Sequence, residues 1–201
     1  MKLILIRHGL PFRVEKEDSS PADPELSEEG IEQAQKLARW MKNEKLDVIY
    51  CSPMMRAKMT AKPLADVKRM KINIEPGVAE VDERSHAYIP MEELKEKEPE
   101  QWKELLETGV ESMFNSMQNL DTFREKVLKS IKRIIAENKG KKVAVVCHGG
   151  VINIWAAHIL GLEEFFFFYP GYTSINRFMA SSSGVYSVVS LNETGHLRNE
   201  F

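Results

Sequence analysis

The chain reads as an α/β protein of three layers, a mainly parallel sheet with helices on both faces, and three observations predict it. Short runs rich in branched residues alternate with amphipathic segments over most of the 201 residues, the pattern of parallel strands joined by helical crossovers. Two of these runs, Lys2–Ile6 and Val143–Cys147, are apolar at successive positions, as strands covered on both faces are. Each then ends in a histidine followed by glycine, where an open α/β sheet presents its chemistry.

The elements follow in order. After the first strand, Arg7-His8-Gly9 makes a turn in which Gly9 supplies backbone freedom. Ser27 is a helix N-cap with Glu28 and Glu29 at the positive end of the dipole, and Ile31, Ala34, Leu37, Ala38 and Met41 form one apolar face. Leu46–Tyr50 is a strand; Cys51-Ser52-Pro53 then opens a helix, with Ser52 as N-cap and Pro53 at the first helical position. Between residues 83 and 117 the pattern loosens into short helical pieces, Met91–Lys97 and Gln101–Glu107, interrupted by Pro90, Pro99 and Gly109. This stretch is too long and too charged for a simple connection, and it reads as an insertion beside the site that decides substrate choice. Phe123, Val127, Ile131, Ile134 and Ile135 form a second helical stripe, stopped at Asn138-Lys139-Gly140. Val151–Leu160 is a helix ended by Gly161, Phe165–Tyr169 packs under a loop or wall, and Asn176–Ala180 with Val185–Leu191 make a hairpin at the sheet's edge. The expectation is one domain over residues 1–201, carrying the 83–117 insertion.

Bulk properties exclude some classes of function. A net charge of -2 and 43% hydrophobic residues give no general attraction to nucleic acid or to an anionic membrane. No apolar run approaches a membrane span. Two cysteines, Cys51 and Cys147, do not make a secreted disulfide framework, and the first residues enter a strand with no leader pattern, so an intracellular, cytoplasmic protein is expected. Both thiols are expected to be buried and inert.

The chemistry lies in three turns. The N–H groups of Gly149 and Gly150 open a helix beside His148, and a helix N-terminus favours an anion. Arg56 falls in a first helical turn, where the dipole disfavours a cation unless an anion shares the space. Residues alone therefore give a basic anion pocket with two histidines, His8 and His148, and a phosphate is its natural guest. His86, His158 and His196 read as structural.

Arg7-His8-Gly9, the segment Ser52–Ala61 and His148-Gly149-Gly150 together resemble the histidine phosphatase superfamily, which has a phosphoglycerate-mutase-like fold. Pro24–Ala34 is similar to the family's helix after the first loop, Glu80 falls where the family keeps its acidic residue, and the matches span residues near 3 to 180. The resemblance implies a phosphatase that forms a phosphohistidine on His8, with Arg7, Arg56, His148 and Gly149 binding the phosphoryl group and Glu80 donating the proton. It implies a small phosphorylated substrate, with no cofactor and no metal. One departure stands in the acid region: Arg84 occupies a position where relatives commonly carry glycine, which leaves Asp82 and Glu83 as alternative donors.

Three other functions fit part of this pattern. Zinc held by His8, His148 and Glu80 would make a metallohydrolase, but Arg7 and Arg56 in the same cluster oppose a cation. A mutase is the runner-up; Leu10-Pro11-Phe12-Arg13 stands where mutases show a small hydroxyl residue and a Trp-Asn pair, which favours the phosphatase. A silent module that only binds a phosphorylated ligand is the third. Pro11, Phe12, Arg13, Ser19-Ser20-Pro21, Met113, Phe114 and Met117 are candidates for the outer pocket, and Glu111-Ser112 resembles a substrate-side motif of relatives. Arg13 or Arg84 is a candidate reader of a second anionic group.

Overall fold

Leu3 and Leu5 point to one side of the first strand, β1 (Lys2–Arg7), Ile4 and Ile6 to the other, and none of these side chains is more than 1% exposed. A strand apolar on both faces needs cover above and below. The structure, a computed structural model, describes residues 1–18, 20–100, 103, 107, 120–164 and 166–198, and it supplies that cover with helices.

The remaining strands are β2 (Val14–Glu15), β3 (Val48–Cys51), β4 (Ile72–Ile74), β5 (Ala87–Tyr88), β6 (Lys142–Cys147), β7 (Ile175–Ala180) and β8 (Tyr186–Glu193). The main sheet has six strands in the order β4-β3-β6-β1-β7-β8. β4, β3, β6 and β1 are mutually parallel, while the β7–β8 hairpin adds on antiparallel to β1. The described helices are α1 (Glu28–Trp40), α2 (Met55–Lys68), α3 (Met91–Lys97), α4 (Leu120–Glu137) and α5 (Gly149–Leu160). Leu37, Ala61 and Leu64 of α1 and α2 pack on Ile4, Ile6, Ala144 and Val146. On the opposite face Phe123, Val127 and Ile131 of α4 and Ile152 and Trp155 of α5 pack on Leu3, Leu5, Val143 and Val145. The fold is thus three-layered α/β and mainly parallel.

Local signals act as their chemistry requires at most ends. Ser27 Oγ accepts the N–H of Gly30 at 3.1 Å, and Gly161 ends α5 in the left-handed region at φ +70°. Three readings need correction. Ser52 does not cap α2; Met54 holds the cap position, and Asp23 reaches from the preceding loop to accept the N–H of Met55 at 2.8 Å. Ile31 is 40% exposed because Gly30 takes the inward position instead. A Cβ on Gly30 would stand 2.0 Å from the Leu10 carbonyl oxygen, and one on Gly9 would stand 2.7 Å from that of Gly30. Gly9 is therefore needed for close backbone approach, and its φ is not positive.

Within the predicted insertion, β5 pairs with β2 in a separate two-stranded sheet, with Val14 opposite Tyr88, and α3 follows. Of the piece Gln101–Glu107, the described residues Lys103 and Glu107 are helical. Met113, Phe114, Met117 and Glu111-Ser112 lie outside the described residues, as do Ser19 and Phe165. Among the described residues no helix is long and apolar enough to cross a membrane.

Candidate active site

The carboxyl ends of β1, β6 and β3 bring Arg7, His148 and Ser52 together, and the loops after them close the site. His8 continues directly from β1. Its N–H donates to the Cys147 carbonyl at 3.0 Å, and its own carbonyl accepts the N–H of Thr173 at 3.2 Å. The next residue is tied as firmly: the Gly9 N–H donates to Thr60 Oγ1 at 2.9 Å, and the Thr60 hydroxyl donates to the Arg56 carbonyl at 2.7 Å. The backbone of the histidine turn is thus fixed by β6, by the turn before β7 and by α2.

This backbone also selects the tautomer of His8. Nδ1 lies 2.8 Å from the Gly9 carbonyl oxygen; a carbonyl only accepts, so Nδ1 carries the proton and Nε2 keeps its lone pair. The ring of His148 stands 5.1 Å away, centroid to centroid. His148 Nε2 is 2.7 Å from Ser52 Oγ, which accepts the Met54 N–H at 3.3 Å. With the serine hydroxyl donating to Nε2, the proton of His148 sits on Nδ1, which is buried and has no partner among the described residues.

Both arginines are buried beside these rings. Arg7 Nη1 donates to the Pro170 carbonyl at 2.6 Å, and its guanidinium carbon lies 4.0 Å from the ring centre of Tyr172 and 4.8 Å from that of Tyr169. Arg56, fully buried, gives Nη2 to both oxygens of Asp82 at 2.7 and 3.0 Å and lies 4.6 Å over Tyr88. Arg7 Nε, Arg56 Nε and Arg56 Nη1 are buried donors with no hydrogen-bond partner among the described residues. Buried polar groups are normally satisfied; here unsatisfied donors gather near His8, since the ring of His148 stands 5.1 Å from it and the charges of Arg56 and Arg7 act on it.

Burial, then Arg56 and Arg7, hold His8 well below the ordinary histidine range, and the Gly9 carbonyl opposes them only partly. His148 is held down in the same way by burial, then by Arg56, His8 and Arg7. Both rings are neutral at physiological pH.

Glu80 completes the cluster from the loop after a short helical turn, Pro76–Val78, whose N-cap Glu75 accepts the Gly77 N–H at 2.9 Å. Glu75 also binds Ser130 of α4 at 3.2 Å and pairs with Arg133, so the loop is anchored to α4. One oxygen of Glu80 accepts the Gly150 N–H at 2.8 Å and the other accepts the Val81 N–H at 3.1 Å. Burial first and the Asp82 charge second push its carboxyl up to about 7, against the pull of those two N–H groups and of Arg56.

The predicted residues His8, Arg7, Arg56, His148 and Glu80 are therefore in one place. Gly149 opens α5 with its Cβ position 3.8 Å from Arg7 Nε. Gly150 does something else than predicted: its N–H serves Glu80, and a Cβ there would lie 2.4 Å from the carboxylate. The alternative acids have other partners, Asp82 with Arg56 and Glu83 with Lys126 at 3.0 Å. Arg13 is taken by Glu15 and by Glu98, the latter at 2.6 Å, and Arg84 is exposed. Cys51 and Cys147 are buried, and burial pushes the Cys51 thiol up to about 12 and Cys147 well up. Among the described residues, no three His, Cys, Asp or Glu side chains converge as metal ligands.

Sequence reasoning missed Tyr88, Tyr172, Thr60 and Thr173, and it placed Tyr169 in a packing segment. Thr173 is buried at φ +53°, a strained value for a β-branched residue, and its Oγ1 is 2.8 Å from His196 Nε2. A left-handed threonine leaves no sequence signal. Thr60 lies one helical turn after Arg56, a spacing that puts both on the face toward the site.

The fold is similar to a mutant phosphoserine phosphatase from Entamoeba histolytica in complex with phosphoserine, with a TM-score of 0.75 and 26% identity over 98% of this chain and 99% of that one. In sequence the chain is 29% identical to phosphoserine phosphatase 1 of Hydrogenobacter thermophilus over 170 residues, 81% of this chain and 78% of that protein. It is 27% identical to a metal-independent phosphoserine phosphatase of Arabidopsis thaliana over 161 residues, covering 76% and 66% respectively. Because the profile of the histidine phosphatase superfamily (branch 1) matches residues 3–194, a span holding both histidine turns, Arg56 and Glu80, the chain belongs to that superfamily.

Proposed function

We propose that the protein is a metal-independent phosphatase that hydrolyses a small phosphate monoester through a phosphohistidine on His8. One observation carries this reading: a neutral imidazole whose Nδ1 is committed to the Gly9 carbonyl shares its site with four buried nitrogen donors, from Arg7, Arg56 and His148, that have no partner among the described residues. A phosphoryl group is the anion that both suits such donors and reacts with such a nitrogen.

In the first step Nε2 of His8 attacks phosphorus in line, the N–P bond forms, and the bond to the ester oxygen breaks. Glu80 gives its proton to the departing alkoxide. The positive charge gained by the ring is met at Nδ1–H by the Gly9 carbonyl, while Arg7, Arg56, His148 and the N-terminal N–H of Gly149 hold the charged equatorial oxygens. In the second step ionised Glu80 takes a proton from water, the water oxygen attacks phosphorus, and the N–P bond breaks to release phosphate and neutral His8. Glu80 is the donor of choice over Asp82 and Glu83, since it combines burial with a carboxyl pushed up to about 7.

Relatives named for phosphoserine and a structural neighbour solved with 3-phosphoglyceric acid point to a small phosphorylated metabolite. The test is a panel of phosphoserine, 3-phosphoglycerate and p-nitrophenyl phosphate, with and without chelator, on wild type and His8→Ala. Phosphate release by wild type, indifferent to chelator and lost in His8→Ala, is expected. Activity abolished by chelator and restored by zinc contradicts the reading, and so does full activity in His8→Ala.

A further inference from the structure

Asp82 is the nearest acid to Arg56 and is not needed as proton donor, yet it is buried at the heart of the site. Both its oxygens take a single nitrogen of Arg56, Nη2, and this leaves Nη1 and Nε without partners among the described residues. Arg56 is anchored at the start of α2, where the helix dipole repels it, so a fixed anion is required to hold it there. Glu80 stands two residues earlier in the same tight turn, in which the Glu83 N–H donates to the Glu80 carbonyl at 3.2 Å and the Ser85 N–H to the Asp82 carbonyl at 2.9 Å, and the Asp82 charge acts on its carboxyl.

We propose that Asp82 is a positioning residue for phosphoryl transfer: by holding one nitrogen of Arg56 it presents the other two to the phosphoryl group. This rests on the proposed function above and extends it in a second way. The charge of Asp82 favours the protonated form of Glu80, the form that donates to the leaving group. Arg56 reaches Glu80 from α2, Cys147 from the end of β6, the N–H of Gly150 from α5, and Asp82 and the Val81 N–H from its own loop. Asp82 in turn faces Arg56 and Tyr88 of β5. Burial raises Cys147 and Tyr88, which stay neutral, so Asp82 and Arg56 are the opposed charges that act on Glu80.

Asp82→Asn keeps the shape and removes the charge. Loss of the negative neighbour and exposure of Glu80 to an unneutralised Arg56 both ease proton release. The alkaline limb of kcat for phosphoserine therefore moves about one pH unit toward acid, roughly tenfold in rate on that limb. The loss is smaller for p-nitrophenyl phosphate, whose leaving group needs no proton, and inhibition by inorganic phosphate weakens several-fold as Arg56 loses its anchor. Asp82→Glu restores the limb while leaving phosphate inhibition weakened, which also serves if Asp82→Asn does not fold. Glu80→Gln separates this proposal from the reading beneath it. A limb lost in Glu80→Gln but unmoved in Asp82→Asn, with phosphate inhibition unchanged in both Asp82 variants, overturns the proposal alone. A limb that survives Glu80→Gln overturns the assignment of Glu80 and with it the second role of Asp82.

Discussion

His8 and Tyr88 stand 6.5 Å apart, ring to ring, but they reach the site by opposite routes. His8 ends a strand buried on both faces, and hydrogen bonds from β6, α2 and the turn before β7 fix its backbone. Tyr88 stands on a two-residue strand whose ladder partner is the equally short β2. Arg13 ties that region to α3, through Glu15 on one side and Glu98 on the other. The floor of the site is thus continuous with the core, whereas the rim is held by short pairings and part-exposed ion pairs. On the proposed function, phosphate chemistry, which tolerates little misplacement, belongs to the floor, while the rim stacks Tyr88 on Arg56 and is the proposed contact for the rest of the substrate.

Effects of substitution are accordingly expected to fall steeply from floor to rim. Glu80→Gln is expected to cost about 10²–10⁴-fold in kcat on an alkyl ester and to abolish the alkaline limb. In wild type that limb is expected to fall as Glu80 loses its proton through about pH 7, while His8, held well below the ordinary range, is expected to keep the acid side active. Stability carries the same sign. A carboxyl raised on folding contributes stability fully present below its ordinary value of 4.5 and lost as pH rises through about 7. The Tm of wild type should therefore fall relative to Glu80→Gln across that window, and thermal melts across a pH series check it.

Arg7→Ala removes a buried donor and its stack on Tyr172, and about 10²–10³-fold in kcat/KM is expected, by analogy with loss of a single donor to a charged transition state. Steady-state kinetics on p-nitrophenyl phosphate suffice. Tyr88→Leu keeps apolar cover and loses the cation–π contact with Arg56, about 0.5–2 kcal/mol, seen as a modest fall in kcat/KM. Smallest is Arg13→Ala: surface ion pairs contribute about 0–1 kcal/mol, so Tm barely moves, and a changed ranking among phosphoserine and 3-phosphoglycerate is the effect to look for. A rim substitution that costs as much as Arg7→Ala would break the distinction.

The same division explains what the sequence disclosed. Strand runs followed by Arg7-His8-Gly9 and His148-Gly149-Gly150 are local patterns, and the sheet places their ends together whatever the loops do. Glu80 was reached through resemblance; nothing local in the loop separates it from Asp82 and Glu83, and only burial and partners tell them apart. Ser52 before Pro53 looks like a cap, but its hydroxyl is committed to His148 across the sheet, a partner far along the chain. Tyr88 was illegible because pairing between two-residue strands has no periodicity to read. Tyr169 and Tyr172 arrive over Arg7 through a turn that includes a left-handed threonine, which residue type argues against.

The covalent intermediate is the most direct point of attack. Wild type mixed with radiolabelled phosphoserine or p-nitrophenyl phosphate and quenched rapidly into alkali should carry acid-labile, alkali-stable label, located by peptide mass analysis on His8 and absent from His8→Ala. Turnover without label on that ring, or label on any other side chain, contradicts the account.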